Sequence, residues 1–460
     1  MPAMIRQLLF LSCLALLTAP SKSQVAINVD AEIKSAIDKV DPAEIEKTVR
    51  KLVTFGTRHT SSETKSETRG IGAARRWLKK RLEEISAETG GNLRVSMERH
   101  QLAASPRLRG GGEVVNVVAT LPGTDPNRFV IISGHYDSRA TNGNDAASDA
   151  PGANDDASGT ALVVEAARVL GRLKPRATIL FMCVAGEEQG LLGAAAHARM
   201  AREQKRRIEA MITNDIVGGV RGSSGKQEPM RVRLFSEGTP SGPIGETGRP
   251  TRQIVGSDND APSRQVARYL KARGEAYNEG FEVTLIFRQD RYLRGGDHKA
   301  FNTEGFAGVR FTECHENFDW QHQDVREKDG RKYGDRPENL DYGFIARVCR
   351  TNAAGVAEIA LAPASPRQVR VLVARLTPHT ELAWQPSEAK DIAGHAVLYR
   401  RTHEPTWTHR HVVPKDQTSI VMEGLSKDDW LFAVEAFDTK GRRSVPVYPT
   451  PSYGRPRRRR

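Results

Sequence analysis

Two hydrophobic rhythms alternate along the first part of the chain. From about Asp41 to Ser86 apolar residues recur near helical spacing. In GIGAARRWLKKRLEEIS, Ile71, Ala74, Leu78, Leu82 and Ile85 share one face and basic residues fill the others. Strand-like runs follow. EVVNVVATLPG closes on a Pro-Gly turn and RFVIISG resumes after TDPN, which predicts a hairpin or a neighbouring strand pair. DASGTALVVEAARVLGRL predicts a helix opening on Asp156 and Ser158. ATILFMCV, from Ala177 to Val184, hardly alternates at all, so both of its faces are expected to be buried. LLGAAAHARMAREQ reads as helix, AMITNDI as a short strand and GFAGVRFTE as another.

Strands alternating with helices require crossover connections, so the expected fold class is α/β, with a mostly parallel central sheet sandwiched by helices. In such sheets the ligand site lies beyond the carboxyl ends of the strands. GHYDS follows RFVIIS, GEE follows ATILFMCV, and Asp215 ends AMITND. Each polar cluster falls where a strand runs out.

The rhythm changes near Leu361, where APASPRQ reads as a linker. Only short strands follow: VRVLVARL, ELAWQP, GHAVLYRR, SIVMEGL and WLFAVEAFD. These predict a small all-β sandwich. The expected layout is a leader over 1–23, an α/β domain over 24–360, the β-sandwich over 361–450 and a basic tail over 451–460.

Composition adds the compartment. MPAMIRQ carries one Arg, LLFLSCLALLTA is unbroken apolar chain, and PSKSQ turns polar. This is the layout of a secretory leader cleaved near Ser23, and the run is short for a membrane span. No later segment is long and apolar enough to cross a bilayer. A secreted or periplasmic protein is expected. Cys183, Cys314 and Cys349 remain after cleavage, an odd count without a disulfide framework; a Cys314–Cys349 bond stays open. The net charge of +13 includes the terminal run RPRRRR. No aromatic-rich nucleic-acid module accompanies it, so the basic balance is read as a surface property and no nucleic-acid partner is expected.

The candidate chemistry lies in the strand-end clusters: His135 and Asp137, Asp155 and Asp156, Glu187 and Glu188, and Asp215, followed by His298, His315 and His322. Carboxylates packed into one crevice repel and are costly to desolvate, and cations resolve this. Imidazole and carboxylate without thiolate suit zinc in an open hydrolytic site. His59, His100 and His197 have no such context and read as ordinary surface or core residues. Asp145 and Asp149 read as part of a loop beside the site.

GHYDS, GANDDASG and GEEQGLLGA, in this order, resemble the co-catalytic two-zinc aminopeptidases, family twenty-eight of the metallopeptidases, over roughly Thr57 to Arg350. Glutamate carboxypeptidase II and the glutaminyl cyclases are relatives. The resemblance implies two zinc ions per chain, with His135 and Asp215 as ligands of the first and Glu188 of the second. It implies Asp155 as the bridging carboxylate, with a cis peptide to Asp156, and Glu187 as general base. Asp137 is expected to accept from the His135 ring. GGDHKAF resembles a further family motif, with Gly296 replacing the usual Ser. His322 in WQHQD is favoured to complete the second site; His315 in ECHENFD is the other candidate. Gln321 stands where some members carry a Tyr that polarises the substrate carbonyl, and Tyr292 is a candidate substitute. The C-terminal strands resemble a fibronectin type III domain, with Trp430 in place of its usual Tyr.

The implied activity is removal of N-terminal residues from peptides. Three alternatives stand beside it: a carboxypeptidase with a basic pocket from Arg139, Arg291 and Arg294, a glutaminyl-cyclase-like acyl transferase, and a non-catalytic binding protein on the same scaffold.

Overall fold

The structure, a computed structural model, describes residues 25–242 and 259–453. The expected leader and the terminal arginines lie outside them. Helices α1 (Ala31–Ile37) and α2 (Pro42–Val53) open the fold. Each is capped by an Asp: Asp30 accepts from Glu32 N–H and Asp41 from Ala43 N–H. The predicted helical stretch is broken here, because residues 54–69 form a loop before α3 (Gly70–Glu88). That loop delivers Arg58 to the interior, where its guanidinium donates to the carbonyls of Leu52, Tyr136, Pro151 and Gly152.

β1 (Arg94–Leu102), β2 (Gly112–Leu121), β3 (Asp125–His135), α4 (Ser158–Leu170), β4 (Ala177–Val184), α5 (Leu192–Glu203) and β5 (Arg207–Asn214) follow. Then come β6 (Arg231–Ser236), α6 (Pro262–Tyr277), β7 (Glu282–Ile286), α7 (His298–Thr303), β8 (Gly308–Glu313), a ribbon of β9 (Arg326–Lys328) and β10 (Arg331–Tyr333), and α8 (Tyr342–Leu361). Eight strands make one sheet, in the order β1-β2-β4-β3-β5-β8-β6-β7. β3, β4, β5 and β8 run parallel, as do β6 and β7; the other pairings are antiparallel.

The lack of alternation in β4 has a direct cause. Ile179, Phe181 and Cys183 face a core shared with α2, α3, α4, α6 and α8. Leu180, Met182 and Val184 face a second core with α5 and α7. Each such side chain contributes about 1.5–3 kcal/mol by burial.

The expected pairing of β2 with β3 does not occur. β4 inserts between them, antiparallel to β2 and parallel to β3. The Pro122–Thr124 link crosses the start of β4 rather than turning back. Gly123 is needed there, since a Cβ would stand 2.3 Å from Arg176 O.

Beyond α8, two sheets pack face to face: β15 (Ser419–Met422), β12 (Thr380–Gln385), β11 (Arg367–Leu372) and β17 (Thr450–Ser452) in one, β14 (His409–Pro414), β13 (Ile392–Arg401) and β16 (Trp430–Asp438) in the other. Val369, Leu382, Trp384, Val397 and Phe432 lie between them. Ion pairs tie this unit to the α/β part. Asp260 takes Arg268 at 2.6 Å and Arg400 at 2.8 Å, and Arg176 reaches Asp391 and Asp438. Trp430 packs edge-on against Tyr399 and under the Arg401 guanidinium, so its indole is held by ring contacts.

Among the described residues, Cys183, Cys314 and Cys349 are free. A Cys314–Cys349 bond does not form: the Cys349 thiol points to Leu162 O from inside α8, whereas the Cys314 thiol points to Arg231 O beyond β8. Among the described residues no helix is long and apolar enough to cross a membrane.

Candidate metal centre

The carboxyl ends of β3, β4 and β5 bring His135, the Glu187–Glu188 pair and Asp215 to one crevice. The loop before α4 adds Asp155, and the loop after β8 adds His322. Two clusters result: His135, Asp155 and Asp215, and Asp155, Glu188 and His322, with the ligand atoms of each within 4.8 Å of one another. Asp155 belongs to both. One of its oxygens lies 3.1 Å from His135 Nε2 and the other 2.9 Å from His322 Nε2. Glu188 Oε1 is 2.9 Å from His322 Nε2 and Asp215 Oδ1 is 3.8 Å from His135 Nε2. His315 is not brought to this site; its Cβ packs on Gly222. His298 is not a member either, for its Nε2 faces Gln289 O at 2.8 Å.

Adjacent acids have been given unlike tasks. Asp156, joined to Asp155 by a cis peptide, accepts from His135 N–H and from Gly159 N–H in the first turn of α4. Glu187 belongs to neither cluster. The backbone turns at Gly186 (φ 78°) and Gly190 (φ 113°), left-handed positions that favour glycine.

Asp137 faces the His135 ring, with Nδ1 3.2 Å from its backbone carbonyl and 3.5 Å from its carboxylate. The carboxylate also accepts the N–H groups of Glu187 at 3.3 Å and Glu188 at 3.2 Å. It thereby fixes the loop that carries both glutamates.

Several supports were invisible in the sequence because they come from distant segments. Asp335 accepts the N–H groups of Asn154 and Asp155. Fully buried Arg310 sets Nη2 at 2.9 Å from Asp215 Oδ1. Ile216, next to Asp215, holds φ at 60°, costly for a β-branched residue, with its carbonyl bonded by Glu313 N–H and Thr312 Oγ1. Asn116 bonds Ala185 N–H and Gly193 O across the base of the glutamate loop, and Glu98 receives Asn116, His100 and His197. Gln321 donates to Asp155 Oδ2 at 3.0 Å, so it steadies the shared carboxylate. Tyr292 stands at the mouth, 76% exposed.

Electrostatically the crevice calls for positive charge. Burial opposes a charged His322, yet Glu188 and Asp155 push it up to about 10. Burial, reinforced by Asp215, Glu188 and Asp297 and opposed by His135, raises the Glu187 carboxyl well above its ordinary value. The site opens into a cavity of about 750 Å³.

The Peptidase family M28 profile matches residues 116–355. A probable zinc metalloprotease of Pyrenophora teres f. teres is 40% identical over 425 residues, covering 92% of this chain and 88% of that protein. One of Pyricularia oryzae is 41% identical over 430 residues, covering 92% and 85%. In fold, the chain is similar to the Legionella pneumophila LapA aminopeptidase, with a TM-score of 0.52 at 18% identity, covering 75% of this chain and 78% of that one. Sequence identity of this extent across most of both chains, together with the profile match, places the protein in Peptidase family M28.

Proposed function

We propose that the protein is an exported exopeptidase that uses two zinc ions per chain to remove residues from the free N-terminus of peptides. The observation that carries this reading is the position of Asp155, with one oxygen toward His135 and the other toward His322. The residues fit the metal. His135 Nε2, His322 Nε2 and Glu188 Oε1 are buried and make no hydrogen bond among the described residues. Atoms that converge without donor–acceptor geometry are arranged as ligands are. His135, Asp155 and Asp215 would hold one ion, and Asp155, Glu188 and His322 the other. Three protein donors per ion leave room for substrate. The probable zinc metalloproteases among the relatives support both the metal and the peptide-bond chemistry.

Zinc bound there supplies Lewis-acid polarisation of a carbonyl and an acidified water. Glu187 takes the proton as water attacks the scissile carbonyl and passes it to the leaving amine. Asp137 holds the glutamate loop in place for this transfer. Glu187, Glu188, Asp155 and Asp215 line the inner end of the cavity; bound ions would balance their charge and help to orient a substrate there.

The apolar run near the N-terminus supports export, and the paired C-terminal sheets support a fibronectin type III-like unit over 361–450. The test is a panel of amino-acid anilides and peptides with free or acetylated N-termini. Free amino substrates are cleaved and acetylated ones spared. Release of C-terminal residues from acetylated peptides, or cyclisation of N-terminal glutamine without hydrolysis, would overturn the proposal.

A further inference from the structure

One wall of the cavity is built from the segment between β7 and α7 and the first residues of α7, RQDRYLRGGDHK. It contributes Arg288, Arg291, Arg294 and Lys299, and Arg107 and Arg139 join them from other loops. Few carboxylates answer these cations. Glu316 serves Arg291 at 3.1 Å and Arg294, and also Arg233 at 3.2 Å, so three guanidinium groups share one carboxylate. Asp290 also contacts Arg291, at 3.2 Å, but it is shared with Arg310. Arg139 is 3.9 Å from Glu188, a residue of the metal clusters. Among the described residues no carboxylate pairs with Arg107, Arg288 or Lys299. Arg288 lies over the exposed Tyr292 ring, 5.5 Å from its centre.

Cations spread over a protein surface usually serve solubility. These line the concavity whose floor holds the two ligand clusters. A peptide with its amino group at the floor presents its next residue toward the wall. Guanidinium groups with spare N–H donors form charge-assisted bonds to carboxylates, and Arg is suited to that recognition. We infer that this wall binds a carboxylate of the substrate, so that the enzyme prefers peptides with a negative group beside the residue it removes. An acidic side chain and the C-terminal carboxylate of a short peptide present the same chemistry. The inference rests on the aminopeptidase reading above.

The experiment compares kcat/KM for three dipeptides sharing the N-terminal residue cleaved fastest in the anilide panel: Xaa-Glu-amide, Xaa-Gln-amide and Xaa-Gln free acid. At low salt at least one charged probe should exceed the neutral amide about tenfold, as expected for a bond to a charged group, and the advantage should shrink in about 0.5 M salt. Which probe gains identifies the source, side chain or terminus. In Arg288→Gln/Lys299→Gln the advantage should fall to within about twofold, given the loss of charge-assisted bonds, with circular dichroism and zinc content retained. If the wild-type enzyme hydrolyses all three within about twofold, the inference fails and the aminopeptidase reading stands. An advantage that survives the double substitution overturns the assignment to this wall. Failure to cleave any free-amino probe or anilide sinks the aminopeptidase reading, and this inference with it.

Discussion

The carboxylate of Asp335 accepts the N–H of Asp155 at 2.7 Å, linking the loop after the β9–β10 ribbon to the carboxylate shared by both metal clusters. The same side chain accepts the N–H of Asn154 at 2.8 Å. Asp335→Ala leaves two buried N–H groups without an acceptor, at a cost of about 2–4 kcal/mol in urea unfolding. Zinc affinity, read by chelator competition, should weaken by about 10- to 100-fold, as for other groups that orient a ligand. Unchanged affinity would show that Asp155 holds its position without Asp335.

Glu187 stands outside both clusters, so its removal separates chemistry from metal binding. Glu187→Gln should lower hydrolysis by about 100- to 10,000-fold while retaining the full metal content. Loss of metal in this variant would mean that the roles of Glu187 and Glu188 are reversed.

His322 and His315 make opposite predictions. His322→Ala removes one of three donors from a single cluster, so the purified variant should retain one ion firmly and lose the other on dialysis. His315→Ala should keep both. Equal metal loss in the two variants contradicts the geometry at Asp155 and Glu188.

A pH effect is expected away from the metals. Burial disfavours the ionised Glu98, but His100, His197 and Asn116 hold its carboxyl below the ordinary value of 4.5. A depressed pKa in the folded state means that the folded protein binds fewer protons than the unfolded chain. The stabilisation is full above about pH 4.5 and is lost as the pH falls toward the folded value. Melting temperatures of the wild type and Glu98→Gln should therefore differ at neutral pH and converge under acid. A constant difference across that range would place the effect elsewhere than in the Glu98 charge.

Much of the architecture was legible because burial leaves a pattern. ATILFMCV lacks alternation because two cores claim its two faces, and the glutamates beside it mark a strand end. Three of the candidate ligands, His135, Glu188 and Asp215, sit within four residues of the carboxyl end of a strand, whereas Asp155 lies just before α4. Strand order could not be read in this way: nothing in LPGTDPN says that β4 enters between β2 and β3. The segment between Arg221 and Arg291 gave no clear rhythm, and β6, β7 and α6 emerged only in three dimensions. Asp335, Arg310, Arg58 and Asn116 resemble any other surface polar residues in the sequence. The task of each of the four depends on a partner 69 to 181 positions away.

The central claim is that Asp155 joins two metal sites in one crevice. Elemental analysis of the full chain, purified without chelator and dialysed against zinc-containing buffer, tests it most directly when paired with the same measurement on Asp155→Ala. Two zinc ions per wild-type chain, and a loss affecting both sites in the variant, are the predicted result. A folded wild-type protein that holds one ion or none would contradict it.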